Sequence, residues 1–152
     1  PNYFIYMEDV DLAWRARLAG WRCLYQPQAR ILHAHSATFG DASPRKRFLL
    51  GRNKVWLVVK NMPEPWFGLL LPVIVGYDAM AVGYGVMQRG DLASLRGRLA
   101  GIAGLPGVWR RRRDVQSRIE DIENWRRFMD PVVPPWKVPE RYRHLAPSTH
   151  VK

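Results

Sequence analysis

The chain has 152 residues, a length that suits one domain or a domain with appendages. Its 24 Lys and Arg residues outnumber 13 Asp and Glu, and the formal net charge of +11 favours anionic partners: nucleotide phosphates, nucleic acid or an anionic membrane surface. The single cysteine, Cys23, excludes an internal disulfide framework and fits a reducing compartment. The chain opens on an apolar run without an initiator methionine or a leader, so we expect it to be a piece of a longer protein.

Residues 1–61 have the mixed, dense patterning of an α/β domain. Short runs rich in aromatic and β-branched residues predict three β-strands, at residues 3–7, 21–25 and 30–35. Two longer segments predict helices, at residues 8–19 and 44–60. The first helix has acids in its first turn and arginines near its end, an order that suits the helix dipole, and Gly20 ends it. The second begins at Ser43 and Pro44, a favourable pair for a helix N-terminus.

Residues 62–130 form a second region, and its first part is strongly apolar. Residues 66–87 carry one charge, Asp78, and reach the roughly 20 apolar residues that a membrane span needs. Pro72, four glycines and Asp78 weaken that interpretation, so a re-entrant or interfacial hairpin and a buried core helix remain alternatives. We therefore leave open whether residues 66–87 span a membrane or lie on it.

The rest of the chain predicts cationic amphipathic helices and then a tail. One apolar stripe recurs at helical spacing, at Leu92, Leu95, Leu99 and Ile102. Pro106 breaks the pattern, which resumes at Val115, and the run from Arg110 to Arg113 adds positive charge. Such helices beside an apolar segment suit an interfacial membrane anchor. Prolines dominate residues 131–152, a composition that predicts an extended or disordered tail.

The acidic run at the start of the first predicted helix carries the strongest chemical signal. Glu8, Asp9 and Asp11 follow a predicted buried strand, and ligands of open α/β sheets bind beyond the carboxyl ends of the strands. A carboxylate in that position can act as the general base toward a hydroxyl group. An ordinary acidic helix start, favoured by the helix dipole, is the alternative, and spacing alone leaves both open. Asp9 and Asp11 diverge on a helix, so we do not expect them to share a metal ion.

Four ordered blocks between residues 4 and 63 resemble family 2 glycosyltransferases, particularly rhamnosyltransferase-like members. The first block, residues 4–22, holds Glu8-Asp9-Val10-Asp11. The second and third are residues 25–29 and 33–38, and the fourth comprises residues 52–53 and 60–63. The arginine-rich region further on resembles that family's C-terminal appendage. The resemblance implies that this chain is the C-terminal part of a GT-A, Rossmann-like α/β domain followed by apolar and amphipathic helices.

The resemblance also implies a reaction. A sugar, with rhamnose as the first candidate, would pass with inversion from a nucleotide-diphosphate donor to a lipid-linked or polysaccharide acceptor in cell-envelope glycan synthesis, at the cytoplasmic face of the plasma membrane. The general base of the family falls on Asp9, with Glu8 supporting it. A histidine that completes the shell of a divalent metal, Mn²⁺ or Mg²⁺, falls on His33, with His35 as the alternative. The remaining ligands would lie upstream, so we expect the chain alone to be inactive.

Three further residues are weaker substrate-binding candidates. The Arg52 guanidinium suits a leaving diphosphate, although a solvated helix face explains it equally well. Trp14 can stack on a sugar or pack in the core, and Asp11 is either a substrate contact or a helix-start acid. A non-enzymatic cationic module that binds membranes or nucleic acid is the alternative function. No helix-turn-helix, zinc finger or aromatic platform accompanies the basic residues, so we expect no nucleic-acid partner.

Overall fold

The computed structural model of the protein describes residues 3, 5–30, 43–120, 122, 126 and 137, and within them the chain is helical. Five helices follow in order: α1 (Glu8–Leu18), α2 (Pro44–Asn61), α3 (Trp66–Arg89), α4 (Leu92–Ala103) and α5 (Leu105–Gln116). The part of the chain that the structure describes contains no β-strand, so it does not display the α/β fold that we expected.

Two of the predicted strands are wrong. Residues 5–7 form a bend in which Tyr6 and Met7 have positive φ angles of 68° and 70°, and residues 21–26 are irregular. A strand needs a neighbouring strand to pair with its backbone groups, and none is available among the described residues. An apolar composition alone therefore did not make these segments β-strands. The third predicted strand, at residues 30–35, lies outside the described residues except for its first residue.

Both helices predicted in the first region are confirmed. The first was expected at residues 8–19 and is α1, Glu8–Leu18, with acids in its first turn and arginines in its last. The chain leaves it through Gly20, whose φ of 74° is the left-handed conformation that glycine adopts without strain. The second was expected at residues 44–60 and is α2, Pro44–Asn61. Pro63 follows two residues later and could not have donated the next helical hydrogen bond.

Helix α2 is the centre of the packing, and α4 crosses it at very short range. Gly97 of α4 lies against the backbone of α2, so a Cβ atom built on it would stand 2.1 Å from the Phe48 carbonyl oxygen. A Cβ atom built on Gly51 of α2 or on Gly101 of α4 would stand 2.7 Å and 3.0 Å, respectively, from a backbone oxygen of the opposite helix. Glycines therefore set this crossing, because any larger residue would force the two helices apart.

Helix α5 closes the C-terminal end of α2 through one arginine. The guanidinium of Arg112 is buried and donates to the carbonyl oxygens of Val59, at 2.8 Å, and Met62, at 2.6 Å, and to a Glu64 carboxylate oxygen at 2.9 Å. It also lies 4.5 Å from the centre of the Phe67 ring. These bonds satisfy carbonyls that the end of a helix leaves unpaired. One of the four arginines in the basic run is thus part of the fold rather than of a charged surface.

The apolar segment forms a single helix. Residues Trp66–Arg89 make up α3, with Pro72 inside it, so the hairpin alternative is wrong. Its apolar window is long enough to cross a membrane by length and composition, and none of that window is buried inside the protein. Within the described residues, α3 is therefore not a buried core helix. The predicted stripe on α4 also faces outwards, since Leu92, Leu99 and Ile102 are exposed.

Candidate active site

The turn formed by residues 5–7, called here the α1 turn, presents the acidic start of α1. Two consecutive non-glycine residues, Tyr6 and Met7, adopt left-handed backbone conformations there. Each costs about 1–2 kcal/mol relative to the right-handed region, so the surrounding structure must hold them. Strain of this kind collects at functional sites, where a precise direction of the chain is needed.

Asn53 of α2 holds the α1 turn. Its side chain is fully buried, at 0% exposure, and its amide donates to the carbonyl oxygens of Ile5, at 3.0 Å, and Tyr6, at 2.9 Å. The Arg52 side chain donates in turn to the Asn53 side-chain oxygen over 3.1 Å. Sequence reasoning placed Asn53 only within a family block and assigned it no role, since nothing local reveals that a helix amide faces a distant turn.

Glu8 and Asp9 occupy the first turn of α1, and both are exposed. One carboxylate oxygen of Asp9 accepts a hydrogen bond from the Val10 backbone N–H at 2.8 Å. The bond fixes the carboxylate beside the helix N-terminus, and its exposure leaves the group accessible to a substrate hydroxyl. The arrangement is chemically suited to accepting a proton, as a general base must.

Asp11 is in a different environment, although it stands only two residues further on. It is 4% exposed, and its carboxylate accepts from Asn61 at 2.7 Å, from Lys60 at 2.5 Å and from Arg15 at 3.0 Å. Burial by itself would raise the pKa of Asp11, but the bonds from Asn61 and Lys60 outweigh it and hold that pKa below its ordinary value. The carboxylate therefore joins α1 to the end of α2, and its oxygens are already engaged by three donors.

Lys60 completes this buried cluster. Burial lowers the pKa of its ammonium group below the ordinary value, although the Asp11 carboxylate acts in the opposite direction. The ammonium also lies 4.8 Å from the centre of the Tyr3 ring, so the segment before the α1 turn is held by the same cation. The sequence signal was present, since two polar residues end an apolar helix face at positions 60 and 61, but it did not identify their partner.

A cleft of about 760 Å³ opens on the side of α1 that carries Asp11. Its wall is formed by α1, the end of α2 and α5, and includes Leu12, Trp21, Arg111, Asp114 and Arg118. Neither Glu8 nor Asp9 lines it. The structure therefore brings Asp11, Arg111 of α5 and Arg118, which follows α5, together around the cleft and places the candidate base outside it.

The other two weaker substrate-binding candidates, Arg52 and Trp14, have separate surroundings. The Arg52 guanidinium lies 4.6 Å from the centre of the Trp56 ring, in addition to its bond to Asn53, so it is held one contact away from the α1 turn. Trp14 is half-buried on α1. His33 and His35 lie outside the described residues. Within the described residues, no group of three His, Cys, Asp or Glu side chains is placed to hold a metal ion, so these residues by themselves do not form a metal centre.

Comparison with known proteins adds a partial similarity. Over 66 residues the chain is 34% identical to an N-acetylglucosaminyl-diphospho-decaprenol L-rhamnosyltransferase of Mycobacterium tuberculosis, which is 43% of this chain and 21% of that protein. Over 90 residues it is 36% identical to a pre-mycofactocin glycosyltransferase of the same organism, 58% of this chain and 18% of that protein. Part of this chain is similar to glycosyltransferases.

The extent of these matches limits what they establish. The chain spans about a fifth of the length of the curated relatives that it matches. No protein-family model matches the sequence, and no solved structure matches it. The similarity agrees with the resemblance of the sequence motifs to glycosyltransferases. The GT-A fold, membership of glycosyltransferase family 2 and inversion at the anomeric carbon stay predictions.

Proposed function

We propose that the chain is the acceptor-side, C-terminal part of an inverting family 2 glycosyltransferase with a GT-A fold. The donor is a nucleotide-diphosphate sugar, with rhamnose as the first candidate, and the acceptor is a lipid-linked or polysaccharide glycan of the cell envelope. The observation that carries the proposal is the exposed pair Glu8 and Asp9, which directly follows the strained α1 turn. Asn53 of α2 holds that turn through two hydrogen bonds. The partial similarity to glycosyltransferases supports the same reaction class.

Asp9 is the general base in this proposal. Its carboxylate takes the proton of the acceptor hydroxyl while that oxygen forms the new bond to the anomeric carbon. The bond from the anomeric carbon to the diphosphate breaks on the opposite face, so the configuration inverts and the diphosphate leaves with the electron pair. Glu8, adjacent and equally exposed, orients the acceptor hydroxyl.

The structure favours Asp9 over Asp11 for this role on physical grounds. A proton added to Asp11 would remove the charge that its buried ion pair with Lys60 depends on, and an unpaired buried charge is costly. Asp9 has no such burden, because it is exposed and its assigned bond comes from a backbone N–H. The two acids near the start of α1 therefore have different roles. Asp11 joins α1 to the end of α2, and Asp9 is accessible to the acceptor hydroxyl.

The donor side of the reaction rests mainly on residues outside the described part of the chain. We expect His33, or His35 as the alternative, to join acids of an upstream half in holding Mn²⁺ or Mg²⁺. A divalent cation bound there supplies neutralisation of the charge on the departing diphosphate. Arg52 is the candidate for a further contact to the diphosphate, and Trp14 for stacking on a sugar.

The membrane is the proposed location of the reaction, at its cytoplasmic face. The exposed apolar window of α3 and the net charge of +11 both favour an anionic bilayer surface, where a lipid-linked acceptor would be presented. The same two features support the second candidate, a cationic membrane-binding module without enzymatic activity. A partner nucleic acid is not part of either proposal.

Release of nucleoside diphosphate tests the proposed function. The full-length protein containing these residues would be supplied with Mn²⁺, a panel of nucleotide-sugars and membrane extract as acceptor. We expect Asp9→Asn to lower kcat by roughly 10²–10⁴-fold, the usual contribution of a general base. Glu120→Gln, at an exposed acid beyond the end of α5 and outside the cleft, is the matched control and should leave kcat unchanged.

Three outcomes would contradict this proposal. Normal turnover in Asp9→Asn would refute the assignment of the base. Absence of release from the wild type with every donor, in a protein that still binds vesicles, would favour the non-enzymatic module. The 152-residue chain alone should neither bind a nucleotide-sugar nor release diphosphate, and either activity would refute its assignment as a part of the enzyme.

A further inference from the structure

Helix α3 is joined to the rest of the protein at its middle by a partly buried charge cluster. Asp78 is its single internal charge, and its carboxylate pairs with Lys54 of α2 at 2.8 Å. Arg98 of α4 binds the same carboxylate with two nitrogens, at 2.5 Å and 2.8 Å. The bidentate geometry fixes the rotation of the helix as well as its position. The side of α3 that carries Asp78 therefore faces α2 and α4.

The opposite side of α3 is apolar and open. At about 100° per residue, five large apolar side chains point within about 60° of the direction opposite Asp78. These residues, called here the α3 outer face, are Leu69, Val73, Met80, Tyr84 and Met87. Their exposed fractions range from 39% to 83%. Monomeric soluble proteins rarely expose a contiguous apolar surface of this kind, so the α3 outer face indicates an interaction site.

A second exposed apolar group, on α5, is accompanied by positive charge. The ring of Phe67, on the side of α3 that carries Asp78, lies 6.1 Å from that of Trp109 on α5, which is 45% exposed. Arg110 and Arg113 are exposed beside Trp109 and line the same shallow depression. Exposed arginine next to exposed tryptophan and aliphatic residues matches the chemistry of an anionic lipid surface, with charge for the headgroups and apolar groups for the acyl boundary.

The Asp78 cluster decides how such a helix meets the bilayer. A 24-residue helix is about 36 Å long, enough to cross a hydrocarbon core of about 30 Å. Crossing would carry the middle of the helix, and with it Asp78, Lys54 and Arg98, to the centre of the bilayer. The charged side chains of α2 and α4 would have to follow, because the cluster joins both helices to α3. Charged groups are strongly disfavoured there, whereas a helix lying flat keeps the cluster on the aqueous side.

We infer that α3 lies in the plane of an anionic membrane surface, with the α3 outer face in the acyl boundary and Asp78 turned towards the protein. The occupant of the α3 outer face is lipid, because the exposed apolar window of α3 suits the acyl boundary and the net charge of +11 complements anionic headgroups. The inference deepens the membrane association within the proposed function by naming the contacting face and the orientation. It also answers the question that the sequence left open, whether this segment spans the bilayer.

Depth measurements along α3 test the inference. In the full chain carrying Cys23→Ser, single cysteines would replace Val73, Met80 and Met87 in turn, with Ile74 on the Asp78 side as the matched control. Each would carry a fluorophore, and vesicles of phosphatidylcholine and phosphatidylglycerol at 3:1 would contain lipids brominated at defined depths. We expect the three outer positions to report one shared, shallow depth, and the control position to show little quenching.

A spanning helix gives a different pattern. Residues 73 and 87 would then differ in depth by about 21 Å, at 1.5 Å per residue, and the label at position 80 would lie deepest. That result would overturn the inference. Absence of quenching at all three outer positions, with self-association of the chain, would overturn it too, because the α3 outer face would then bind a second copy.

A charge placed on the α3 outer face gives an independent measurement. Met80→Asp should weaken vesicle binding at least roughly tenfold, since it adds a charge to the apolar contact. Leu24→Asp, at an apolar residue that is more exposed but lies outside α3, is the control and should bind as the wild type does. Equal binding by both variants and the wild type would refute the assigned face. These assays measure binding only, so a failed transfer assay and a failed depth measurement are distinguishable results.

Discussion

Replacing Asn53 with alanine tests the connection between α2 and the α1 turn. The change removes two hydrogen bonds to carbonyl oxygens, at Ile5 and Tyr6, and leaves those groups buried without a donor. Each such bond contributes about 1 kcal/mol, and an unsatisfied buried group costs about 1–3 kcal/mol. The variant also loses a restraint on two left-handed residues, each strained by about 1–2 kcal/mol. We therefore expect the free energy of unfolding to fall by about 2–4 kcal/mol.

The loss in the free energy of unfolding is measured by chemical denaturation followed by circular dichroism. Gln88→Ala, at an exposed amide on α3, is the control and should change the free energy of unfolding by less than about 0.5 kcal/mol. Asn53→Asp preserves the size of the side chain but directs a carboxylate oxygen at two carbonyl oxygens. Its pKa in the folded state should be raised, so this variant should lose stability as the pH rises through that value.

Measuring kcat distinguishes a residue that positions the catalytic carboxylate from one that only stabilises the fold. Under conditions where Asn53→Ala stays folded, we expect kcat for diphosphate release to fall while KM changes little, because the displaced Asp9 carboxylate acts in the transition state. An alanine variant with wild-type stability and wild-type kcat would refute the reasoning. A stable variant with low kcat would support positioning, and an unstable one with normal kcat would restrict Asn53 to the fold.

Two further predictions concern packing and acid stability. Gly97→Ala should destabilise the protein by about 1–3 kcal/mol or more in thermal unfolding, because its Cβ would overlap the α2 backbone. The control, Gly76→Ala, should be neutral or stabilising by about 1 kcal/mol, because nothing lies within 4 Å of its Cβ. Equal effects of the two substitutions would contradict the close contact between α2 and α4. The lowered pKa of Asp11 means that its stabilising effect is complete above the unfolded value near 4 and is lost as the pH falls through the folded value. Asp11→Asn should therefore weaken the loss of stability seen on acid titration, and a titration curve parallel to that of the wild type would argue against the pair with Lys60.

The sequence identified what depends on near neighbours. The start and end of α1 and α2 followed from helix-dipole charges, from Ser43-Pro44 and from the proline at position 63, all of which act within a turn of the affected residues. The acidic pair at Glu8 and Asp9 and its resemblance to glycosyltransferases were also readable, and partial similarity supports the reaction class. Length and composition indicated that residues 66–87 could meet a membrane.

Tertiary structure decided the features that involve distant partners. Sequence could not show that Asp11 is buried against Lys60 and Asn61 while Asp9 is exposed, since those partners are about 50 residues away along the chain. The same holds for Asp78, which pattern alone gave as a defect in a membrane helix and which joins α3 to α2 and α4.

The orientation of α4 was also beyond the sequence pattern. Its apolar stripe has the periodicity of a buried face, yet the glycines at 97 and 101 form the contact with α2, and Leu92, Leu99 and Ile102 stay exposed. Periodicity gives the faces of a helix but not which face the protein uses, because that choice depends on how closely another backbone can approach. The expected strands failed for a related reason: extended segments are stabilised by partners elsewhere in the chain, and an apolar run specifies burial without specifying the partner.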